Sequence, residues 1–591
     1  MPLARVPAAC ALVLMVSLRG SCTCGDPGQA PTITAVSVAA TPAALAPEGS
    51  STLRATVSGT GDFDAGVAWS LVSGGGTLSA TAGASVTYHA AGVAAGTQVV
   101  VKATSQADGT KSGTATLSVT ALPVITAFTA TPSNLPAGGG QVTLAWAVTG
   151  ADHLAIDQGV GAVTGTQQTT TVSSATTFTL TATNAVGSAT ATATVTLSPA
   201  GSTVWLRQTG TTASDSATGA AVDASGNLFV AGTTGGAFAD AGAGGVDAFL
   251  IRYDAAGNEL WRVQEGGTAN DKGYAVAAGP GGGAYLAGMI VDTGGPGSFE
   301  GFVTRYDAAG TRLWRRMFGI PGSGLNGLDE AFGVASDATG NVVAVGHTVG
   351  SFAGVNDGGH DAFAVKFDAD GGEAWRRQLG TAEDDFANAV AIDASGNVYL
   401  VGSTLGALTG TSVGNADAFL VKLDPGGAEQ WRRQFGSTQI DSAQGVAIDP
   451  GGNVFVVGYT NGDLAGTAQN FDFFLVKFDA AGTELWRRQF GTVNADRGFG
   501  VSTDASGNAY TAGFSQLNNT AAEDALLVKW SPDGAELYRA RLNSLGNGNE
   551  EGLGVACAPG GDAYLVGYTF DALVGTHVGG SGTDAFVAKI H

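Results

Sequence analysis

Between residues 203 and 591 one pattern recurs, and it limits the fold more than any other feature. Tryptophan stands at 205, 261, 314, 375, 431 and 486, and Tyr538 continues the series, at intervals of 52 to 61 residues. A second marker, Asp-Ala-Phe, opens at Asp247, Asp361, Asp417 and Asp584, with variants at Glu300, Asp472 and Asp524. A third, Asp-Ala-Ser-Gly-Asn, opens at Asp223, Asp393 and Asp504, with relatives at Asp337 and Asp449. One unit reads as four short strands, at 445–449, 453–458, 472–479 and 485–490. Pro450-Gly451-Gly452 and Ala480-Ala481-Gly482 are the turns between neighbouring strands, and glycine supplies the positive φ such turns need. A repeat of this length with four strands cannot bury its faces alone. Stacked radially, it makes a β-propeller.

The ends of the repeat region predict how the ring closes. The region opens on an orphan fourth strand, Val204-Trp205-Leu206-Arg207-Gln208, and ends straight after a third strand, Asp584 to Ile590. The N-terminal strand is therefore expected to complete the last sheet, which removes two exposed edges and gives seven blades over 203–591. Composition agrees with strands and turns. Glycine fills 93 of 591 positions and only 13% of residues are charged, while Ala, Thr and Val dominate. Four cysteines cannot staple a chain of this length, and glycine shows no three-residue period, which excludes collagen. A net charge of −23 repels a duplex, so no nucleic-acid partner is expected.

Upstream, two segments alternate apolar and polar residues in short runs broken by Gly, Pro and Ser, the pattern of antiparallel sandwiches. They span 31–121, with Trp69 as core anchor, and 123–198, where Trp146 is expected to pack on the strand Phe178 to Thr183. Residues 1–24 read as an export signal. Arg5 gives a positive start, and Val6 to Leu18 is an apolar stretch too short to span a bilayer. Asp62 and Asp64 read as a solvated loop, and His89 and His153 as isolated residues. Cys557 reads as a small apolar residue of an inner strand.

Units such as GVAIDPGGNVFVVGYT and DFFLVKFDAAGTELWRRQFG resemble the bacterial SBBP-type seven-bladed propeller repeats, over about 65% of the chain. The two upstream segments resemble bacterial immunoglobulin-like domains, the second through a T-A-T-N-x-x-G closing hairpin at Thr181 to Gly187. The leader resembles a degenerate lipoprotein signal. Gly20 and Ser21 precede Cys22, but Arg19 stands where an apolar residue is usual, and Leu18 lies one place too far upstream. These resemblances imply an all-β protein with two immunoglobulin-like sandwiches followed by a propeller closed by its N-terminal strand. They imply export and lipid anchoring at Cys22, with Cys24 as the alternative and plain secretion as the other outcome. The propeller family implies a cell-envelope or surface protein and no enzyme activity.

In a propeller the connections alternate between two faces. Here the first-to-second and third-to-fourth turns are short. The loops of the other face, such as 233–246, 347–360 and 514–523, are longer and differ between units, which is the usual layout of a binding surface. On that face an acidic residue stands at a fixed place before each inner strand's end: Asp215, Asp271, Asp329, Asp385, Asp441, Asp496 and Glu550. These are expected to ring the channel mouth. Each carboxylate either bonds the N–H groups of its own loop or helps attract a cation or cationic ligand. Repetition in every unit favours the first. The arginines at 315, 316, 376, 377, 432, 433, 487 and 488 are spread around the circumference and read as cross-strand ion pairs or solvated edges.

The search for chemistry is sparse. No His-Glu-x-x-His, Cys-x-x-Cys, phosphate loop or EF-hand loop occurs. Gly410 to Gly414 matches G-x-S-x-G but lacks the strand–turn–helix setting of a nucleophile. His347, Asp357, His360 and Asp361 form the best metal candidate, although a polar loop explains them more simply. Asp479 to Trp486 resembles a quinoprotein repeat that is one residue short. The expectation is therefore a non-catalytic, lipid-anchored binding protein for a protein or glycan, without metal or cofactor. The alternatives are a quinoprotein-like or carbohydrate-active propeller enzyme and an envelope assembly scaffold.

Overall fold

The computed structural model describes residues 30–135, 139–239, 244–291, 299–319, 329–410, 412–467, 470–516, 522–544, 548–578, 580 and 582–591. The leader, with Cys22 and Cys24, lies outside these. Among the described residues the elements are β-strands, apart from a 3-10 turn at Pro280–Gly282, and no helix is long and apolar enough to cross a membrane. The chain divides into two compact units, Met1–Leu197 and Ser198–His591.

The first unit holds two sandwiches. In one, Thr32–Thr41, Ser50–Thr60, Ser85–His89 and Thr77–Leu78 form one sheet, and Ala44–Leu45, Ser112–Val119, Gln98–Ser105 and Val67–Ser73 the other. Alternate residues of both bury Leu53, Tyr88, Trp69, Val101 and Leu117 in a common core. Trp69 donates its indole N–H to the Gly83 carbonyl at 2.7 Å. In the other, Trp146 shares a core with Phe178 and Leu180. The Asn184 amide ties its last hairpin to two other segments by donating to the carbonyls of Ala121 and Gly150 at 2.7 and 2.8 Å. Asp62 and Asp64 are exposed, and Asp64 accepts the N–H of Gly66 at 2.8 Å.

The second unit holds seven four-stranded antiparallel sheets, here called blades one to seven in chain order. Their inner strands are Asp215–Val222, Lys272–Ala278, Asp329–Ser336, Asp385–Ile392, Asp441–Ile448, Asp496–Thr503 and Glu550–Cys557. Each inner strand packs on the next, and the last packs on the first. The strand Thr203–Thr209 pairs antiparallel with Asp584–Ile590 as the outer strand of the seventh blade. Inner strands approach closely where the fifth residue is small. A Cβ on Gly445 would stand 2.7 Å from the Phe499 carbonyl of the next blade. Cys557 is free, and burial pushes its thiol up to about 12.

The short turns are held by Asx bonding. Asp449 accepts the backbone N–H and the side-chain amide of Asn453, both at 2.8 Å, and Asp223, Asp337, Asp393 and Asp504 repeat the arrangement. This is why Asp and Gly-Asn recur together in the sequence.

The Trp-Arg-Arg-Gln run has a different role from the one its sequence implied. The first arginine pairs with a glutamate three residues upstream on its own strand, as Arg376 does with Glu373 and Arg432 with Glu429 at 2.5 Å. The second reaches the next blade. Arg377, Arg433 and Arg488 donate Nε–H to the carbonyls of Gly427, Gly482 and Gly534 at 2.7, 2.8 and 2.8 Å. The same guanidiniums lie over Trp375, Trp431 and Trp486, 5.8, 5.1 and 5.1 Å from the ring centroids. Each tryptophan in turn packs on the glycine so held. Outer strands thus grip the neighbouring blade's turn and make neither cross-strand pairs nor idle edges. Arg315 and Arg541 depart from this and pair with Glu265 and Asp524.

Gly482 tests the grip. Its φ is +79°, and a Cβ there would stand 3.1 Å from the Trp431 ring; Gly452, in the same blade, has φ +81° and open space around it. Both Gly→Ala changes carry the cost of a left-handed residue, about 1 kcal/mol. Gly482→Ala is expected to cost about 1 kcal/mol more, because the indole must also shift. Urea unfolding followed by tryptophan fluorescence measures the difference.

Candidate functional site

The acidic series opens the inner strands, but its side chains do not face the channel. Asp215, Asp271, Asp329, Asp385, Asp441, Asp496 and Glu550 are all 0–1% exposed. Asp385 accepts the N–H and hydroxyl of Thr381 at 2.6 and 2.9 Å. Asp215 does the same with Thr211, Asp441 with Ser437 and Asp496 with Thr492. Asp271 accepts from Gly267 and Val291, and Glu550 from Ser544 and Thr569. Burial holds the carboxyls of Asp215, Asp385 and Glu550 above their ordinary range. The acids thus bond their own loops, the reading their repetition favoured, and as buried side chains they do not form the expected ring at the channel mouth. Side chains 0–1% exposed do not meet solvent.

A second row of pins recurs in five of the seven blades, with Arg541 on Asp524 taking the place in the sixth. The outer-strand glutamine donates to the aspartate opening the third strand, as Gln434 does to Asp417 at 2.7 Å and Gln489 to Asp472 at 2.8 Å. Its carbonyl oxygen accepts N–H groups of the long loop. Gln208 of the N-terminal strand does the same for the last blade, donating to Asp584 and accepting from Leu573. Long loops that vary in sequence therefore leave from fixed roots.

The same acids also tie blades together through the backbone. The N–H of Asp385 donates to the His360 carbonyl, that of Asp496 to Phe471 and that of Glu550 to Glu523, each at 2.7 Å. Asp215, Asp271 and Asp441 reach Thr583, Val246 and Ala416 in the same way. Each bond sets the residue before a third strand beside the inner strand of the next blade. The residue after each acid, and the second-strand residue near it, complete a socket at the junction. The sockets share a frame and differ in content. Ser216, Lys272, Glu330, Phe386, Ser442, Arg497 and Glu551 follow the seven acids.

Three sockets are rich in chemistry. In the first, His347 stacks on Phe332 at 5.3 Å and meets His360 and Phe386 edge-on at 4.9 and 5.1 Å. His360 Nδ1 lies 3.0 Å from Asp384. Burial, then the charge of His360, hold the His347 imidazole down to about 4. Among the described residues no group of three metal-ligating side chains converges, and the His347–His360 cluster is an aromatic stack. In the second, the Arg497 guanidinium lies 4.9 Å from the Tyr459 ring centroid and 4.4 Å from that of Phe471. In the third, the Glu523 and Glu551 carboxyls bond each other, and burial followed by that bond raises Glu523 to about 7. Tyr568 bonds Glu551, Asn549 donates to Glu523 at 3.1 Å, and Phe570 stands exposed 5.9 Å from Tyr568.

The channel itself is narrow. Residues such as Thr218, Tyr274, Phe332, Asn388, Gln444, Phe499 and Leu553 line about 180 Å³, below the roughly 300–1,000 Å³ of small-molecule pockets. Ser412, of the G-x-S-x-G match, donates to the Gly414 carbonyl and Asp417 and serves its own turn. Apart from His347 and His360, the socket residues escaped the sequence reading because they come from places up to 38 residues apart along the chain, as Tyr459, Phe471 and Arg497 do. The signal was the single non-repeating place beside each repeated acid.

Two stretches, 374–408 and 430–465, match the SBBP β-propeller repeat. The regulatory protein FlaEY of Caulobacter vibrioides is 25% identical over 358 residues, 50% of this chain and 36% of that protein. The uncharacterized WD repeat-containing protein L264 of Acanthamoeba polyphaga mimivirus is 24% identical over 183 residues, 24% of this chain and 13% of that protein. This chain thus spans little more than a third of the first relative and about an eighth of the second. A quinonprotein alcohol dehydrogenase-like protein of Bacteroides thetaiotaomicron matches with a TM-score of 0.33 and 10% identity, over 69% of this chain and 93% of that one. YCF48 bound to D1 peptide matches with 0.35 and 10%, over 65% and 94%. Scores this low say nothing of this chain's activity. The repeat matches and the seven four-stranded sheets define a β-propeller repeat protein.

His347 gives a pH test. Its folded pKa of about 4 lies below the ordinary 6.5, so the unfolded chain binds the proton first. Its contribution is present above pH 6.5 and is lost as pH falls towards 4, to the extent of about 3 kcal/mol. Between pH 7 and 4.5 the wild type is expected to lose about 2–3 kcal/mol more than His347→Phe, which keeps the ring stack. Urea midpoints of both proteins at the two pH values decide it.

Proposed function

We propose that this chain is an exported, lipid-anchored binding protein. Two immunoglobulin-like sandwiches carry a seven-bladed β-propeller, closed by its own N-terminal strand, whose long-loop face binds a glycan. One observation carries the reading. The bonds that build each blade repeat around the ring, whereas non-repeated aromatic and charged side chains gather in the junction sockets of one face. A fixed frame with varied contents is the usual build of a recognition surface. Aromatic rings with polar tips, such as Tyr568 beside Phe570 and Asn549, suit a ligand with both C–H faces and hydroxyls. The reading needs no metal or cofactor and no nucleic acid. The anchor is Cys22, with Cys24 as the alternative.

A second reading, a carbohydrate-active enzyme, is favoured by one feature. A carboxyl pushed up to about 7 is suited to deliver a proton near neutral pH, and Glu523 is such a group.

Affinity electrophoresis of the full chain through gels containing purified polysaccharides tests the proposal. Tyr568→Ala with Phe570→Ala is expected to weaken retardation about ten-fold, while Ser395→Ala in a short turn leaves it unchanged. Equal retardation of all three proteins would remove the long-loop face as the site, and new reducing ends in the gel would favour the enzyme. In the native host, palmitate label is expected in the wild type and lost in Cys22→Ala; label retained in both Cys22→Ala and Cys24→Ala would contradict the anchor.

A further inference from the structure

The propeller commits nearly all of its cations to its own structure. Among the described residues, its lysines and arginines other than Lys272 and Arg497 each hold an ion pair or a backbone carbonyl. Both exceptions follow a repeated acid and so stand in sockets of the long-loop face. Arg497 is the more constrained of the two. Tyr459 and Phe471 hold its charge at 4.9 and 4.4 Å, and those rings stand at 88° to each other. Contacts to ring faces engage the charge and not the N–H donors. Its Nε is buried and has no acceptor among the described residues. Glu523 feels its charge, yet the two form no ion pair among the described residues. A buried donor without an acceptor is costly, and a rigid guanidinium fork fits a planar carboxylate.

We propose that Arg497, framed by Tyr459 and Phe471, is the subsite for the carboxylate of an acidic glycan, a uronic-acid polymer. This rests on the glycan reading above and names the class of sugar. Arg497 lies opposite Phe514 in its blade. Phe514 is the second-strand member of the adjoining socket, where Glu551, Glu523, Tyr568 and Asn549 offer donors and acceptors for hydroxyls and Phe570 offers a ring face. Carboxylate, hydroxyls and C–H face are what one uronate presents. An acidic peptide lacks the hydroxyls and would want a free strand edge, and blade edges lie either on the circumference or along the channel of about 180 Å³. The net charge of −23 disfavours anions in general, so an anionic ligand must be held by a local cation.

Calorimetry on the full chain tests the assignment with hexasaccharides of galacturonate, alginate and hyaluronan, the galacturonate methyl ester and poly-L-glutamate. The expected result is binding of at least one of the three acids. Where galacturonate is that acid, its methyl ester is expected to bind at least ten-fold more weakly. Arg497→Met should lower acid binding at least ten-fold, Arg497→Lys should restore part of it, and Lys272→Met should change it less than two-fold. Unfolding midpoints of the variants exclude misfolding. Equal binding of galacturonate and its ester, undiminished acid binding by Arg497→Met, or tighter binding of poly-L-glutamate would overturn the assignment. If ester and acid bind alike and Tyr568→Ala abolishes both, the glycan reading stands and the carboxylate subsite falls. If none of the glycans binds, both fall.

Discussion

The propeller depends on one residue per blade, the acid that opens the inner strand. Its side chain accepts from a Thr or Ser four residues upstream in most blades, as Asp441 does from Ser437, and its backbone N–H reaches the preceding blade. One residue thereby fixes a loop root and a blade junction together. A hydrogen bond to a charged group contributes about 1.5–3 kcal/mol, partly offset by the cost of burying the carboxylate, which the raised Asp215 and Asp385 carboxyls record. Repetition of a modest bond suits a ring in which each blade touches only two others.

The outer rim works by a different bond. Arginine and tryptophan of one blade hold the glycine turn of the next, so packing and a charged hydrogen bond act at the same place. The outer-strand glutamine secures the long loop of its own blade. In Trp431-Arg432-Arg433-Gln434 the four residues thus face the next turn, the strand's own Glu429, the next turn again, and the long loop. Since the N-terminal strand carries Trp205, Arg207 and Gln208, it brings the same contacts to the seam between Asp584–Ile590 and the first blade.

Strand positions were legible because a period of two and fixed glycine turns are local properties. The Asp-Ala-Ser-Gly-Asn turns were legible for the same reason, since Asp223 and Asn227 meet within one turn. The arginine partners were not, because Arg433 bonds Gly482, 49 residues away, and spacing along the chain does not show which blade's turn lies alongside. The acids were placed correctly at the inner strands and their loop bonds were the favoured reading, but their burial away from the channel mouth was not foreseen. Their direction depends on strand alternation, and a shift of one residue moves a side chain to the other face. That same shift puts the informative residues, such as Arg497 and Glu551, next to the conspicuous ones. Their socket partners Phe471 and Glu523 come from the preceding blade, so only the folded ring brings them together.

The central claim is this division of labour between adjacent residues, and Asp496 with Arg497 tests it most directly. Stability in urea and binding of an acidic hexasaccharide would be measured on Asp496→Asn and Arg497→Met in the full chain. The account predicts that Asp496→Asn lowers stability by about 1–3 kcal/mol while the folded protein keeps its affinity, and that Arg497→Met does the reverse. Loss of affinity without loss of stability in Asp496→Asn would contradict it.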